Sequence, residues 1–552
     1  MAVGLGGGGP GAGAGGGAGA GAGAKVDEFA PFPIKDQLPG VDFCVSSSPS
    51  WPEAIALGFQ HYLVMLGTTV IIPSILVPLM GGGNVEKAEL ISTLLFVAGI
   101  NTLLQTWFGT RLPVVFGGSY AFIIPAIAII LSINNNNNNN NAFLSPHQRF
   151  KQSMRAIQGA LIIASILQMV IGFFGFWRIF SRLLSPLAIV PPVTLTGLGL
   201  YAHGFPQLAK CIEIGLPALF LVVFLSQFLP HMMKSKGIIL ARFAVLFSVA
   251  VVWVFAEILT VAGAYDNKPP NTQISCRTDR SGLLSAAPWI RVPYPFQWGG
   301  PTFDAGDTFA MMAACFVAVV ESSGTIIAAS RYGSATPIPP SVLSRGIGWL
   351  GIGTLLAAGF GTGSGSTASV ENAGLLGLTR VGSRRVVQIS AGFMLFFSVL
   401  GKFGALLASI PLPIMAALYC VLFAYVCSAG LGFLQFCNLN SFRTKFILGF
   451  SLFMGLSVPQ YFNEYLLISG RGPVHTGATW FNNIMQVIFS SPATVSIMVA
   501  FFLDLTHSLR HSSTRRDSGR HWWRKFRNFD QDVRSEEFYS LPYNLNRFFP
   551  SF

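Results

Sequence analysis

Charge is what this chain has least of. Asp, Glu, Lys and Arg together make up 10% of its 552 residues, where a soluble domain carries about a quarter, and 52% of the residues are hydrophobic with a mean hydropathy of +0.57. That balance excludes an ordinary soluble fold and predicts a polytopic membrane protein. Acidic residues are outnumbered 22 to 35 by basic ones. In a soluble chain such an excess would suggest a nucleic-acid partner, but here the basic residues fall in short loops and the C-terminal tail, where membrane topology places them. No nucleic-acid partner is expected. The seven cysteines include no close pair with zinc-ligand or redox spacing. They read as small packing residues, and Cys276 alone, in a long polar loop, does not establish a disulfide. No secretory leader is expected: the opening residues, through Ala24, form a glycine–alanine tract without a charged start and an apolar core. It reads as a disordered cytosolic tail.

What the chain has instead is a succession of apolar segments, each a candidate to cross a hydrocarbon core of about 30 Å. Fourteen are predicted, at 53–80, 88–108, 114–133, 156–177, 183–203, 211–231, 240–262, 305–330, 345–360, 367–379, 386–410, 412–436, 443–460 and 479–506. A cytosolic N-terminus puts Arg111, Arg178, Arg182, Lys234, Lys236, Arg331, Arg345, Arg380, Arg384, Arg385, Arg443, Lys445 and the tail from Arg510 to Arg527 on the cytosolic side, as the positive-inside rule requires. Arg149, Lys151 and Arg155, before the fourth span, are the exception. The expected organisation is a cytosolic tail at 1–50, a first seven-span repeat at 51–262, a polar extracytoplasmic loop at 263–304, a second seven-span repeat at 305–506 and a basic cytosolic tail at 507–552. The run Asn134–Asn141 has no apolar face to bury and reads as a mobile loop without a function.

Seven plus seven suggests an all-α inverted repeat, whose pointer to a midplane site is a pair of short, Gly/Pro-interrupted segments at equivalent positions. Spans three and ten supply them. Span three contains Phe116-Gly117-Gly118-Ser119-Tyr120 followed by Pro125, and span ten contains the sequence GTGSGSTASVENAGLLGLTR at 361–380. Each is expected to hold extended backbone and then a half-helix whose free amides meet a ligand. Gly361, Gly363 and Gly365 are not a phosphate loop, since no Gly-Lys-Ser/Thr and no βαβ unit accompany them.

A carboxylate at the bilayer centre costs roughly 2.5–3.5 kcal/mol on insertion scales, so it persists where it faces a cavity, a partner or a substrate. Glu321 lies deep in span eight, in AACFVAVVESSGT. Burial penalises its charged form, which suits it to take up a proton near neutral pH. Its counterpart in the first repeat is Gln60-His61 in span one, with His61 read as an orienting residue rather than a proton acceptor. Glu371 and Asn372 open the helical half of span ten; together with backbone amides they could frame a flat heterocycle bearing N–H donors and carbonyl acceptors. Ser119 and Tyr120 stand opposite in span three, Tyr120 able to cover the face of such a ring. Thr379 and Arg380 close the stretch, Arg380 either as a topology anchor or as a gate on inward release. An intramembrane enzyme would need a nucleophile–base pair or metal ligands, and neither His61 nor the cysteines form such a set. No cofactor and no metal are expected.

These residues resemble the nucleobase-ascorbate transporter family, also called the nucleobase:cation symporter-2 family, and most closely its plant members. The family signature runs Gln/Glu/Pro, Asn, any residue, Gly, four of any residue, Thr, then Arg/Lys/Gly; Glu371, Asn372, Gly374, Thr379 and Arg380 match every fixed position. Gln60-His61 matches a second family motif and Glu321 the acid of the eighth span, within a resemblance covering about residues 30–530. It implies a core domain of spans one to four and eight to eleven that slides as an elevator against a gate domain of spans five to seven and twelve to fourteen, usually in a homodimer in the plasma membrane. It further implies that Glu321 and Glu371 bond the base, Tyr120 stacks on it and Asn372 supports the site. Glu371, at a position that is Pro in animal ascorbate carriers, favours a nucleobase such as xanthine, uric acid or uracil, carried with a proton. Ascorbate or an inorganic anion on the same fold, or a transport-inactive sensor, are the alternatives. Four residues after the span-eight acid, where several microbial relatives carry Asp or His, stands Thr325, so coupling rests the more on Glu321.

Overall fold

Ser-Pro pairs start several of the helices. In the computed structural model, which describes residues 33–139, 144–233, 239–279, 282–507, 514–543 and 545–550, Ser145, Ser185 and Ser491 each accept a hydrogen bond from the backbone N–H three residues on. The proline that follows each needs no N–H at the first helical position. The glycine–alanine tract, Asn140, Asn141, Lys234, Lys236 and Arg510 lie outside the described residues.

The first half comprises α1 (Trp51–Leu79), α2 (Asn84–Trp107), the strand β1 (Phe116–Gly118) and α3 (Ile123–Asn139). It continues with α4 (Pro146–Phe173), the eight-residue α5 (Phe176–Leu183), α6 (Pro186–Leu198), α7 (Ile212–Val223) and α8 (Ala244–Val261). The second half begins with α9 (Ala305–Tyr332), α10 (Pro340–Phe360), β2 (Ser366–Ala368), α11 (Val370–Thr379) and α12 (Arg384–Val399). Then come the eight-residue α13 (Gly401–Ala408), α14 (Leu412–Gly432), α15 (Phe442–Ser469), α16 (Thr479–Phe489) and α17 (Pro492–Thr506). One bundle forms from α1, α2, α4, α9, α10 and α12, and another from α6, α7, α14, α15 and α17; they meet where α9 and α11 pack on α6 and α14.

Fewer segments qualify as spans than the apolar pattern predicts. Among the described residues eight helices are long and apolar enough to cross a membrane, or ten if each of two bent pairs is one span. The bends are 110° between α12 and α13 and 83° between α16 and α17. Spans three and ten fall short because each divides into a strand and a helix, as their glycines require.

The expectation of a mobile asparagine loop is corrected. Asn134–Asn139 continue α3, because the apolar residues before them have already paid the nucleation cost and adding residues to an existing helix is cheap. Asn134 Nδ2 donates to the Leu79 carbonyl at 3.3 Å and Asn137 Nδ2 to Gln152 Oε1 at 3.0 Å.

The reading of all seven cysteines as unpaired is also corrected. Cys211 and Cys276 form a disulfide across 65 residues, with Cα atoms 5.5 Å apart. The antiparallel return of α7 and α8 brings the two together, which no spacing rule reveals. Bonded to each other, the two sulfurs are not free to join the nearby Glu213 as thiolate ligands. Beyond the disulfide the polar loop lies along the end of α10, where Phe296 N, Gln297 Nε2 and Trp298 Nε1 donate to the carbonyls of Gly359, Phe360 and Gly361 at 2.7, 2.8 and 2.9 Å. Much of the C-terminal tail is folded: Phe526, Phe529, Phe538 and Tyr539 are buried. Arg384 and Arg345 donate to the carbonyls of Phe538 and Tyr539 at 3.0 and 2.9 Å.

Gly374 sets how closely α11 approaches α14. A Cβ there would lie 2.1 Å from the Leu422 carbonyl oxygen, whereas one on Gly392 in α12 would meet nothing within 4 Å. Gly374→Ala is therefore expected to destabilise by about 1–3 kcal/mol and Gly392→Ala to be neutral or stabilising by up to about 1 kcal/mol. Thermal melting of the two purified variants checks this; equal melting points would refute the contact. The disulfide predicts that, in the purified protein unfolded in dodecyl sulfate, a maleimide labels Cys211 and Cys276 only after reduction. A Cys211→Ser variant should lose about 2–4 kcal/mol of stability. Labelling of both cysteines without reduction would refute the bond.

Candidate substrate site

The site is built around β1 and β2, which pair antiparallel with Phe116 opposite Ala368, Gly117 opposite Thr367 and Gly118 opposite Ser366. Gly361 and Gly363, at φ +71° and +70°, turn the chain out of α10 into β2, a conformation that side chains with a Cβ seldom adopt. Side chains satisfy backbone groups that the three-residue strands cannot pair. Thr102 Oγ1 accepts from Phe116 N at 3.0 Å, Ser364 Oγ accepts from Ser119 N at 3.1 Å, and Ser322 Oγ of α9 accepts from Ala368 N at 3.1 Å.

Each strand then gives way to a helix start. Ser119 Oγ accepts from Ala121 N, capping the 3₁₀ turn Tyr120–Phe122 that leads into α3, and Ser369 Oγ accepts from Asn372 N at the start of α11. The two helix N-termini therefore converge, and their dipoles favour negative charge or ligand acceptor atoms between them.

A cavity of about 70 Å³ lies at this meeting point, lined by Ser119 and Tyr120 from span three, Glu321 from α9, Glu371 from α11, and Thr196 and Pro492 from the facing bundle. The sequence-predicted Ser119, Tyr120, Glu321 and Glu371 thus come together from three segments. Asn372 supports them from behind: its Oδ1 pairs with His61 Nδ1 at 2.8 Å and its Nδ2 donates to Ser369 Oγ at 2.8 Å. His61 itself is buried.

The two carboxylates are held differently. Glu371 is buried and accepts from Thr68 Oγ1 of α1, to which the Tyr120 hydroxyl also donates at 3.4 Å. Glu321 is half-buried and accepts from Ser491 Oγ, the cap of α17, at 2.9 Å. One face of Tyr120 meets His203, their ring centres 4.3 Å apart.

Other predicted residues lie outside the cavity. Gln60 points away, donating to the Arg242 carbonyl at 3.0 Å and accepting from Leu246 N at 3.3 Å, and so ties α1 to the start of α8. Thr325 donates to the Glu321 backbone carbonyl at 3.0 Å, and Thr379 to that of Leu375 at 2.8 Å. Gly374 is the contact with α14. Arg380 ends α11 in the left-handed region at φ 56°, with its side chain exposed and its carbonyl accepting from Asp42 N at 3.0 Å.

Thr68, Ser491 and His203 were not anticipated. Thr68 was legible, for it follows His61 by two helical turns with Met65 between them, so all three share a face of α1. Ser491 and His203 carry no such signal.

Known proteins resemble this chain over most of its length. Residues 52–464 match the model of the Permease family. Nucleobase-ascorbate transporter 4 of Arabidopsis thaliana is 72% identical over 528 residues, covering 96% of this chain and 99% of that protein. Nucleobase-ascorbate transporter 6 of the same plant is 65% identical over 527 residues, covering 96% and 98%. Among solved structures, that of SLC26A9 aligns with a TM-score of 0.44 at 13% identity, covering 73% of this chain and 62% of that one. The chain belongs to the nucleobase-ascorbate transporter family, whose members are membrane transporters and not enzymes.

Proposed function

We propose that this transporter is a proton-coupled symporter of nucleobases, with xanthine, uric acid and uracil as candidate substrates. The observation that carries the reading is the convergence of Glu321, Glu371, Ser119 and Tyr120 on one cavity at two facing helix starts. A planar base bearing N–H donors would donate to the two carboxylates, accept from groups at the helix starts and lie against Tyr120. Asn372, held by His61, keeps α11 in register for that contact.

In this reading fourteen segments form a seven-plus-seven inverted repeat in the plasma membrane, with both termini cytosolic and two copies assembled as a homodimer. Three matched pairs support the repeat: β1 with β2, α3 with α11, and the eight-residue α5 and α13, which follow α4 and α12. The disulfide supports the orientation, since Cys211 and Cys276 both fall on the side assigned outside, where disulfides persist. The bundle carrying β1, β2 and α9 moves as an elevator against the bundle carrying α6, α14 and α17. One proton entering with the base gains about 2.3 kcal/mol per 100 mV of membrane potential.

Uptake of labelled xanthine and uracil at two pH values, in cells lacking their own carriers, tests the substrate class. Transport of ascorbate or an inorganic anion with neither base taken up would overturn it, and binding without flux would indicate a sensor. Glu321→Gln is expected to abolish pH-dependent accumulation at normal surface expression, whereas retained pH dependence would remove Glu321 from the coupling step. Thr68→Val, which deprives Glu371 of its donor, is expected to weaken base binding about tenfold to a hundredfold, read from competition curves.

A further inference from the structure

The short helix α5 carries two faces that the transport reading does not use. Phe176, Ile179 and Leu183, spaced three and four apart, are exposed by 58%, 59% and 46%, while Trp177 and Ser181 on the opposite side are buried. Arg178 and Arg182, one turn apart, lie between these faces. An apolar stripe flanked by arginines on a short helix is the pattern of a segment lying in a membrane interface.

Beside α5 is a cavity of about 220 Å³, distinct from the substrate site, where α6, α9, the start of α10 and the C-terminal tail come together. Its floor is apolar, with Leu184, Ile327, Leu343 and Phe526 all buried. Its rim is basic, formed by Arg182, Arg524 and Arg527, all exposed and none in an ion pair among the described residues. Burial and the neighbouring charges of Arg178 and Arg527 hold Arg182 below its ordinary pKa. Asp504 does not offset the rim: Arg443 and Arg520 occupy its two oxygens at 3.0 Å each.

We infer that this cavity binds the phosphate headgroup of an anionic phospholipid from the cytosolic leaflet. Its acyl chains run over Ile179 and Leu183 of α5, and its phosphate is held by Arg182, Arg524 and Arg527. The combination of charge and apolar surface favours a lipid over a free phosphate, because a soluble anion would use the arginines but gain nothing from the apolar stripe. The anionic leaflet is the one that attracts such basic groups, at about 1 kcal/mol each, a roughly fivefold change in affinity per residue. The cavity touches both bundles and the tail, so an occupant would tie the tail to the junction across which they are proposed to slide. The assignment to this leaflet rests on the cytosolic placement of the face and not on the identity of the transported substrate.

The test is retention of added lipid by the full-length, detergent-purified protein, followed by native mass spectrometry with phosphatidic acid, phosphatidylcholine and soluble glycerol 3-phosphate as probes. Phosphatidic acid is expected to be retained over phosphatidylcholine. Retention should fall about fivefold in Arg524→Gln and on the order of a hundredfold when Arg182, Arg524 and Arg527 are all changed to Gln. Changing the three to Lys, or changing Arg385 outside the cavity to Gln, should preserve it. Equal retention by wild type and Arg524→Gln would overturn the site. Binding of glycerol 3-phosphate as tight as that of phosphatidic acid would overturn the lipid assignment in favour of a soluble anion. The single exposed substitution keeps the test decisive if the triple variant does not fold.

Discussion

The pairing of β1 with β2 is the constraint on which the site depends. Extended backbone at membrane depth exposes N–H and C=O groups that no water can satisfy, so it survives only where protein satisfies it. Two such stretches, nearly 250 residues apart in sequence, satisfy each other, and Thr102, Ser322 and Ser364 supply what the short ladder leaves over. The strands in turn fix where the following helices begin. Ser119 with Tyr120, and Glu371 with Asn372, stand one or a few residues past the ends of β1 and β2. The cavity-lining side chains are therefore positioned by the backbone's need for partners, with little left for side-chain packing to decide.

Much of this was legible in the sequence because its cause is local. Glycines and serines inside apolar segments announce broken spans, and a carboxylate in such a segment announces a cavity, so Ser119, Tyr120, Glu321 and Glu371 could be named before their convergence was seen. What was not legible depends on contacts between distant segments. Ser491 reads as an ordinary helix cap, and nothing near it says that its hydroxyl also reaches Glu321. Cys211 and Cys276 are unremarkable until α7 and α8 fold back. Gln60 and His61 were read as a pair, yet adjacent residues on a helix point about 100° apart, so one reaches Asn372 and the other α8. The asparagine run misled for a different reason: composition describes what a segment prefers alone, and this one follows a helix already formed.

Several arginines hold the terminal segments as well as contributing to topology. Arg345 and Arg384 are spent on carbonyls of the C-terminal tail, and Arg242 bridges Asp42 and Glu53 at 2.8 and 2.5 Å. Each of these draws a terminal segment onto the helical body. Arginine suits this role because its planar fork can serve several acceptors at once while keeping its charge.

The two carboxylates differ in a way that bears on coupling. Glu371 takes its hydrogen bond from Thr68 on α1, in the same bundle as the strands, so sliding one bundle past the other leaves that bond intact. Glu321 takes its bond from Ser491, at the head of α17 in the facing bundle. Movement along the boundary between bundles must break that contact, removing a donor that favours the charged carboxylate. In the proposed elevator, protonation at Glu321 therefore depends on the position of the moving bundle, while Glu371 presents the same face to the base throughout. A symporter needs this division, because a site that loses its grip on substrate whenever it exchanges a proton would leak, and one whose proton affinity never changes would not couple.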